Sequence, residues 1–297
     1  MAAWQQPSTT DGRSMASDTH RYDPEGRDDR PLLMILGTQG WIPTPRRATT
    51  CLAYRDGATL LVLDAGTGLG RFLRPPAASL LDGVDEVHLL LTHYHLDHTV
   101  GLSYLSGVFP RLRVTVHVPE AAVNGVEPPD GVPSLIRPPF FPEAWASQKR
   151  VSLSTVCAGE NDIAGLRVMV RAQSHADVSV AYRVVDHFVL ATDTVYDEAT
   201  AAFAAGAEVL IHEAWIDGKE EGEPGWEDMV RHAYASHTSA RQAAQLAARA
   251  GVEELLLVHL NPLFDEDYYA EQGRSARALF PRTTVPDDLH VRELARY

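Results

Sequence analysis

Residues 92–98 read Thr-His-Tyr-His-Leu-Asp-His, so that the imidazoles of His93, His95 and His98 and the carboxylate of Asp97 fall within six positions. The preceding Val87-His88-Leu89-Leu90-Leu91 reads as a buried strand. Side chains two apart on a strand share a face, so His93 and His95 leave its end together, and Asp97 and His98 follow the turn. Four ligands in so short a run do not converge comfortably on one ion but suit two ions side by side, which points to a dinuclear metal centre. The competing reading is a histidine-rich strand end with Asp97 capping a helix from His98, and it calls for no matching ligands elsewhere.

Composition narrows the classes. The 297 residues are 45% hydrophobic and 22% charged, as in a soluble globular protein with a sizeable core. A formal charge of −14 weighs against an extended polyanionic partner, because nucleic-acid affinity draws on Lys and Arg against phosphate. Cys51 and Cys157 are too few for a disulfide framework or a Cys-rich zinc knuckle and read as reduced thiols. No apolar run is long enough to span a bilayer, and the residues after Met1 lack the basic and apolar regions of a secretory signal. The cytoplasm is the expected location, without a membrane partner.

Residues 1–30 are dominated by Ser, Thr, Asp, Arg, Gly and Gln with almost no aliphatic content, which reads as a disordered tail. From residue 31 to 297 the pattern is that of one domain. Strands are expected at 32–36, 51–54, 59–63, 87–91, 114–118, 166–171, 178–185, 187–190, 209–211 and 255–258. Helices are expected after Asp64-Ala-Gly-Thr-Gly68, from His98 to about Ser106, at 198–205 and at 238–250. Residues 119–150 hold seven prolines and the run Arg137-Pro-Pro-Phe-Phe-Pro142, an irregular surface excursion of the kind that borders active sites. Mixed strands and helices of this order suit an α/β (α+β) fold in which two sheets pack face to face between outer helices.

Further candidate ligands stand at expected strand ends. His175 follows Arg171-Ala-Gln-Ser174, Asp193 follows Phe188-Val-Leu-Ala-Thr192, and His259 closes Leu255-Leu-Leu-Val258. Each alone reads as structural, Asp193 as a turn residue. Together they match the opening block.

With these residues in view, the chain resembles the metallo-β-lactamase fold superfamily, whose His-x-His-x-Asp-His motif matches His93, His95, Asp97 and His98. The resemblance extends from about Leu32 onward and implies a four-layer αββα sandwich. It also implies two divalent ions, expected to be zinc with Mn2+ or Fe2+ as alternatives. His93, His95 and His175 would hold one, Asp97, His98 and His259 the other, and Asp193 would bridge both. A bridging carboxylate departs from the thiolate of many true β-lactamases, which disfavours antibiotic hydrolysis.

Leu210-Ile211-His212-Glu213-Ala214 and His237-Thr238-Ser239-Ala240 look like the His-Glu-Ala-Thr and His-Ser-Thr segments of the ribonuclease Z and phosphodiesterase branch, with Trp215 in place of the threonine. The opening Leu36–Pro43 and Asp64–Gly68 segments resemble this branch too. The likeness makes His237 the candidate general acid, oriented by Glu213, which is expected to raise its pKa, and it makes Asp97, His237 and Glu213 the catalytic set. The structural alternative for His237 is a residue before a helix capped by Thr238 or Ser239. His212 is expected only to support ligands.

Departures from ribonuclease Z bear on substrate. The family's Pro-x-Lys-x-Arg-Asn loop stands here as Pro43-Thr-Pro45-Arg46-Arg47-Ala48, and its Gly- and Lys-rich arm is replaced by a Pro- and Phe-rich stretch. Arg46 and Arg47 are the candidates to hold a phosphate, and Phe140 and Phe141 to cover a base or apolar group. The expectation is a phosphodiesterase for small phosphodiesters or cyclic nucleotides, with a small-molecule partner; nucleic acid is disfavoured as a partner but not excluded. Alternatives are a transfer RNA 3′-end endonuclease, a lactonase or other carboxylic ester hydrolase, and a metal-stabilised binding module without catalysis. A di-iron redox protein would carry Glu at the second histidine of the motif, which here is His95. Relatives of this branch are often homodimers.

Overall fold

A computed structural model describes residues 30–128, 131–142 and 145–296. The tail expected at 1–30 lies outside the described residues except for Arg30. The first sheet takes β1 (Leu32–Gly37), β2 (Cys51–Asp56), β3 (Thr59–Leu63), β4 (Glu86–Leu90), β5 (Arg113–Pro119) and β6 (Val151–Val156) in that spatial order. The second takes β7 (Gly159–Ile163), β8 (Leu166–Gln173), β9 (Ser179–Val184), β10 (Phe188–Ala191), β11 (Val209–Ala214), β12 (Glu254–Leu260) and β13 (Thr283–Thr284), also side by side in chain order. The chain then returns to the first sheet, where β14 (His290–Glu293) pairs with the outer edge of β1. Each sheet starts antiparallel, β1–β2–β3 and β7–β8–β9–β10, and continues parallel through its crossovers.

Alternation along the strands explains the layering. Leu33 and Ile35 of β1, Leu52 and Tyr54 of β2 and Leu61 and Leu63 of β3 face Val168, Tyr182, Leu190, Ile211 and Val258 of the other sheet, and these side chains form the central core. The intervening Met34, Leu36, Ala53 and Val62 turn outward beneath the helical segments around 67–108. On the far side, Val189, Leu210, Leu255 and Leu257 bury the small-residue face of α7 (Ala240–Ala250) with parts of α5 (Ala199–Ala204) and α8 (Glu266–Arg277). The result is the αββα sandwich.

Several elements differ from expectation. The segment after Gly66 is a 3-10 helix at Thr67–Leu73. The helix expected from His98 is broken into α1 (Leu96–Thr99), a 3-10 turn at Val100–Tyr104 and α2 (Leu105–Val108). Among its described residues, the proline-rich stretch carries the short helices α3 (Ala121–Asn124) and α4 (Val132–Leu135) and a turn at Trp145–Ser147. Strands β6, β7, β13 and β14 and helices α6 (Glu227–Ser236) and α8 are additions. Their apolar stripes are thin, since α6 buries only Ala233 and β7 only Ile163.

At one end the two sheets are tied together by hydrogen bonds. Val180 N–H donates to Thr92 O over 3.0 Å, the Tyr182 hydroxyl to Leu91 O over 2.7 Å, Leu260 N–H to Thr38 O and Gly40 N–H to Leu260 O, both over 3.0 Å. The strand ends carrying the histidine block, Asp193 and His259 gather here. Among the described residues, no helix is long and apolar enough to cross a membrane.

Candidate metal centre

Asp64, immediately after β3, is fully buried with φ at 59°, and its carboxylate organises the loop after β4. Oδ1 accepts from Thr92 N–H at 2.8 Å, both oxygens receive the Thr92 hydroxyl, and Oδ2 accepts from His98 Nδ1–H at 2.8 Å. Because the Thr92 hydroxyl proton is turned to Asp64, its oxygen accepts from His93 Nδ1–H at 3.0 Å. His93 and His98 thereby present bare Nε2 atoms. His175 does the same by donating Nδ1–H to Ser236 O at the end of α6 over 2.7 Å. His95 is turned the other way: its Nε2–H donates to Asp177 at 3.1 Å, leaving Nδ1 for a ligand. Such outer partners select the tautomer of a metal-binding histidine.

His259 sits in a β-bulge. Glu213 pairs with Val258 and Ala214 with Leu260, so His259 is the extra residue, with φ at 49°. Its ring fills space that only a glycine at position 40 leaves open, since a Cβ on Gly40 would lie 2.6 Å from His259 Cε1. Asp97 Oδ2 accepts from Trp41 N–H at 2.7 Å.

Asp193 stands between the two sets. Oδ1 lies 3.5 Å from His175 Nε2 and 3.9 Å from His93 Nε2, while Oδ2 lies 3.1 Å from His98 Nε2 and 3.3 Å from His259 Nε2. One group is thus His93, His95, His175 and Asp193, and another is Asp97, His98 and His259, with ligand atoms within 4.8 Å of one another in each. All seven expected ligands are brought together.

The donor set fits divalent cations. His93 Nε2 and Asp193 Oδ2 are buried without a hydrogen-bond partner, and the Nε2 atoms of His98 and His259 face each other at 3.3 Å. Bare nitrogen and carboxylate oxygen lone pairs converging in a buried site call for positive charge between them. Burial alone lowers the pKa of His98, but the carboxylates of Asp193, Asp97 and Asp64 hold it well above the usual histidine range. Burial likewise works against an ionised Asp193, yet His259, His98 and His93 keep it well below the carboxylate range. His93 is pushed well down by burial.

His237 follows α6, and its Nδ1 lies 2.7 Å from Glu213 Oε2, whose other oxygen accepts from Thr194 N–H at 2.6 Å. His237 also offers an atom within 4.8 Å of ligand atoms on Asp193 and His259. The expectation that Glu213 raises the pKa of His237 is corrected: burial lowers that of His237, and burial together with the charge of Asp193 pushes Glu213 up to about 8. A neutral pair and an imidazolium–carboxylate pair hold the same number of protons, so the dyad keeps one transferable proton at neutral pH. Ser239, not Thr238, caps α7, in a reciprocal pair with Gln242.

The expected substrate contacts divide. Arg47 is 3% exposed and donates to Glu266, Thr38 Oγ1, Pro286 O and Asp287 at 2.7–3.0 Å, which corrects its assignment from phosphate contact to internal tie. Arg46 is exposed, 3.7–3.8 Å from Asp287 and Glu266. Phe141 packs against the outer core of the first sheet, so it too is structural, whereas Phe140 is 83% exposed. His212 is buried outside the ligand groups, its pKa lowered to about 4 by burial. The sequence reading did not single out Asp64 or Asp177 as partners of ligand histidines. An acid closing the strand beside the histidine-bearing one was the available signal for Asp64.

A model of the Beta-lactamase superfamily domain matches residues 59–260. Ribonuclease Z of Mycobacterium sp. (strain KMS) is 32% identical over 277 residues, covering 86% of this chain and 93% of that protein. The metallo-beta-lactamase fold protein YhfI from Bacillus subtilis superposes with a TM-score of 0.70 at 20% identity, over 89% of this chain and 99% of that one. Human tRNase Z, short form, does so with a TM-score of 0.65 at 15% identity, over 89% and 100%. The chain belongs to the beta-lactamase superfamily, as a metal-dependent hydrolase of the metallo-β-lactamase fold.

Proposed function

We propose that this chain is a cytoplasmic dinuclear zinc phosphodiesterase for small phosphodiesters such as cyclic nucleotides. The observation that carries the reading is the Glu213–His237 pair, bonded over 2.7 Å beside the ligand cluster. His93, His95 and His175 with Asp193 Oδ1 would hold one ion, and Asp97, His98 and His259 with Asp193 Oδ2 the other. Imidazole-rich sets of this kind suit zinc, with manganese or iron as alternatives. When bound, the ions supply a hydroxide nucleophile at neutral pH and draw charge from the scissile group.

The residues of the chain complete the reaction. His237 in its imidazolium form donates Nδ1–H to Glu213 and carries the proton on Nε2 that a departing alkoxide requires. Glu213 holds the ring and balances its charge. Burial of Glu213 and near-burial of His237 keep bulk water from competing for that proton.

Small substrates are favoured by the surroundings. Trp41, Leu96 and Leu263 are exposed, and they flank ligands: Trp41 N–H bonds Asp97, Leu96 lies between His95 and Asp97, and Leu263 follows His259 by four residues. Such a rim suits an organic ester group better than a polyanion. With Arg47 tied to Glu266 and Asp287, Arg46 is left as the phosphate contact of the Pro43–Ala48 loop, and Phe140 as a cover.

A ribonuclease Z-type transfer RNA endonuclease is the second reading, favoured by the sequence likeness to the mycobacterial ribonuclease Z over nearly its whole length. Turnover of bis(p-nitrophenyl) phosphate, cyclic nucleotides, lactones and precursor transfer RNA by one preparation decides. Phosphodiester turnover without precursor cleavage is expected. Turnover of lactones alone overturns the phosphodiester reading, and efficient precursor cleavage replaces it with the second.

A further inference from the structure

We infer that Trp215 is a positioning residue for the proton donor: its indole face holds the His237 imidazole in the plane from which Nε2 reaches the leaving oxygen. The inference rests on the phosphodiesterase reading and adds a residue to it. The Trp215 and His237 ring centroids are 4.1 Å apart with planes 10° apart. Trp215 also lies 5.5 Å from the His259 ring at 28°.

A hydrogen bond and a stack restrain different motions. The bond from Nδ1 to Glu213 pins one edge of the imidazole but leaves the ring free to swing about the Nδ1···O axis. A flat neighbour in contact with the ring face removes that swing. Glu213 and Trp215 are two apart at the end of β11, so one short segment supplies both restraints. A threonine, the residue of the resembling branch at this position, has no face to stack.

The indole is itself held in place. Trp215 is 5% exposed and packs with Ile216 and Ala233, against Met229, Val230 and Tyr234 of α6. The backbone nearby is fixed by other bonds, Trp215 N–H to Thr238 O at 3.0 Å and the Thr238 hydroxyl to Thr194 O at 2.6 Å. Removing the indole therefore leaves the chain path of residues 213–215 and 237–238 supported.

In the step concerned, the hydroxide oxygen forms a new bond to phosphorus while the bond from phosphorus to the leaving oxygen breaks. The electron pair of that bond passes to the leaving oxygen, which takes the proton from His237 Nε2. An acyclic diester gives a phosphomonoester and an alcohol, a cyclic nucleotide gives one ring-opened molecule carrying both groups, and the imidazole is left neutral. A ring that swings delivers this proton poorly, and the deficit appears only where the leaving group needs it.

The test compares full-length protein with Trp215→Ala and Trp215→Phe on bis(p-nitrophenyl) phosphate, whose leaving group needs little protonation, and on a cyclic nucleotide, whose leaving group is an alkoxide. For Trp215→Ala, kcat on the cyclic nucleotide should fall about 10-fold or more, against less than about 3-fold on the aryl ester, with KM and bound metal unchanged. Trp215→Phe should recover most of the loss. The His237 ring protons should also shift downfield in the NMR spectrum of Trp215→Ala, since the indole ring current is gone. Equal losses on both substrates, no loss on either, loss of metal, or an unmoved His237 signal would each overturn the inference. If the unaltered protein cleaves neither phosphodiester, the underlying reading fails first and takes this inference with it.

Discussion

His98 donates Nδ1–H to the buried carboxylate of Asp64 over 2.8 Å, and this bond decides which nitrogen of His98 faces Asp97, His259 and Asp193. Asp64→Asn keeps an acceptor for Thr92 N–H but can turn an amide N–H toward His98, favouring the wrong tautomer. Metal affinity should fall about 10–100-fold, read by competition with a chromophoric chelator, while the circular dichroism spectrum is retained. Unchanged affinity would contradict this role.

Gly40 and His259 share space that admits no Cβ. In Gly40→Ala the new methyl would lie 2.6 Å from His259 Cε1, so the ring must shift. The His93, His95 and His175 set does not depend on that ring. Elemental analysis should find about one metal equivalent lost from the His259 side and the other retained. Two equivalents bound as tightly as before would show that His259 is free to move.

The pattern of strand ends makes this centre legible, because His93, His95, Asp97, His98, His175, Asp193 and His259 all lie at or shortly after the ends of strands. Continuous apolar runs also made the strands at the heart of the sheets legible, since both faces of β1 and β3 are buried. What escaped depends on tertiary contacts. Asp177 meets His95 across 82 residues, and the Trp215–His237 stack needs α6, whose sequence Glu227–Ser236 has too thin an apolar stripe to declare itself. Arg47 looked like a phosphate ligand because a free arginine and an internally tied one are the same letter; Glu266, in α8, decides the matter from 219 residues away.

Arg47→Ala should therefore behave as a stability mutation. Its guanidinium is buried and donates to Glu266, Asp287, Thr38 Oγ1 and Pro286 O, and its removal leaves the last two acceptors without this donor, at a cost of about 1–3 kcal/mol. Urea unfolding should shift accordingly, while Arg46→Ala should change stability little and raise KM for phosphodiesters. A raised KM for Arg47→Ala with unchanged stability would restore its phosphate role.

His117 gives the fold an acid sensitivity away from the centre. It is buried, its Nε2 lies 3.1 Å from His88 Nδ1, and burial followed by the proximity of His88 lowers its pKa to about 4. The unfolded chain takes up this proton near pH 6.5 and the folded chain only near 4, so the unfolded state binds more protons between these values. The contribution is full above about pH 6.5 and is lost as pH falls toward 4, reaching about 3 kcal/mol. Urea midpoints at pH 7.5 and 5 should differ more for the natural chain than for His117→Gln. Equal differences would exclude His117 as a source.

Metal stoichiometry and phosphodiester turnover measured on the same samples decide whether this is a two-metal hydrolase bridged by Asp193. About two divalent ions per chain are expected, with turnover abolished by chelation and restored by zinc, and with metal and turnover lost together in Asp193→Ala. One ion or none in the active protein, or phosphodiester turnover that survives chelation or Asp193→Ala, would contradict the two-metal reading.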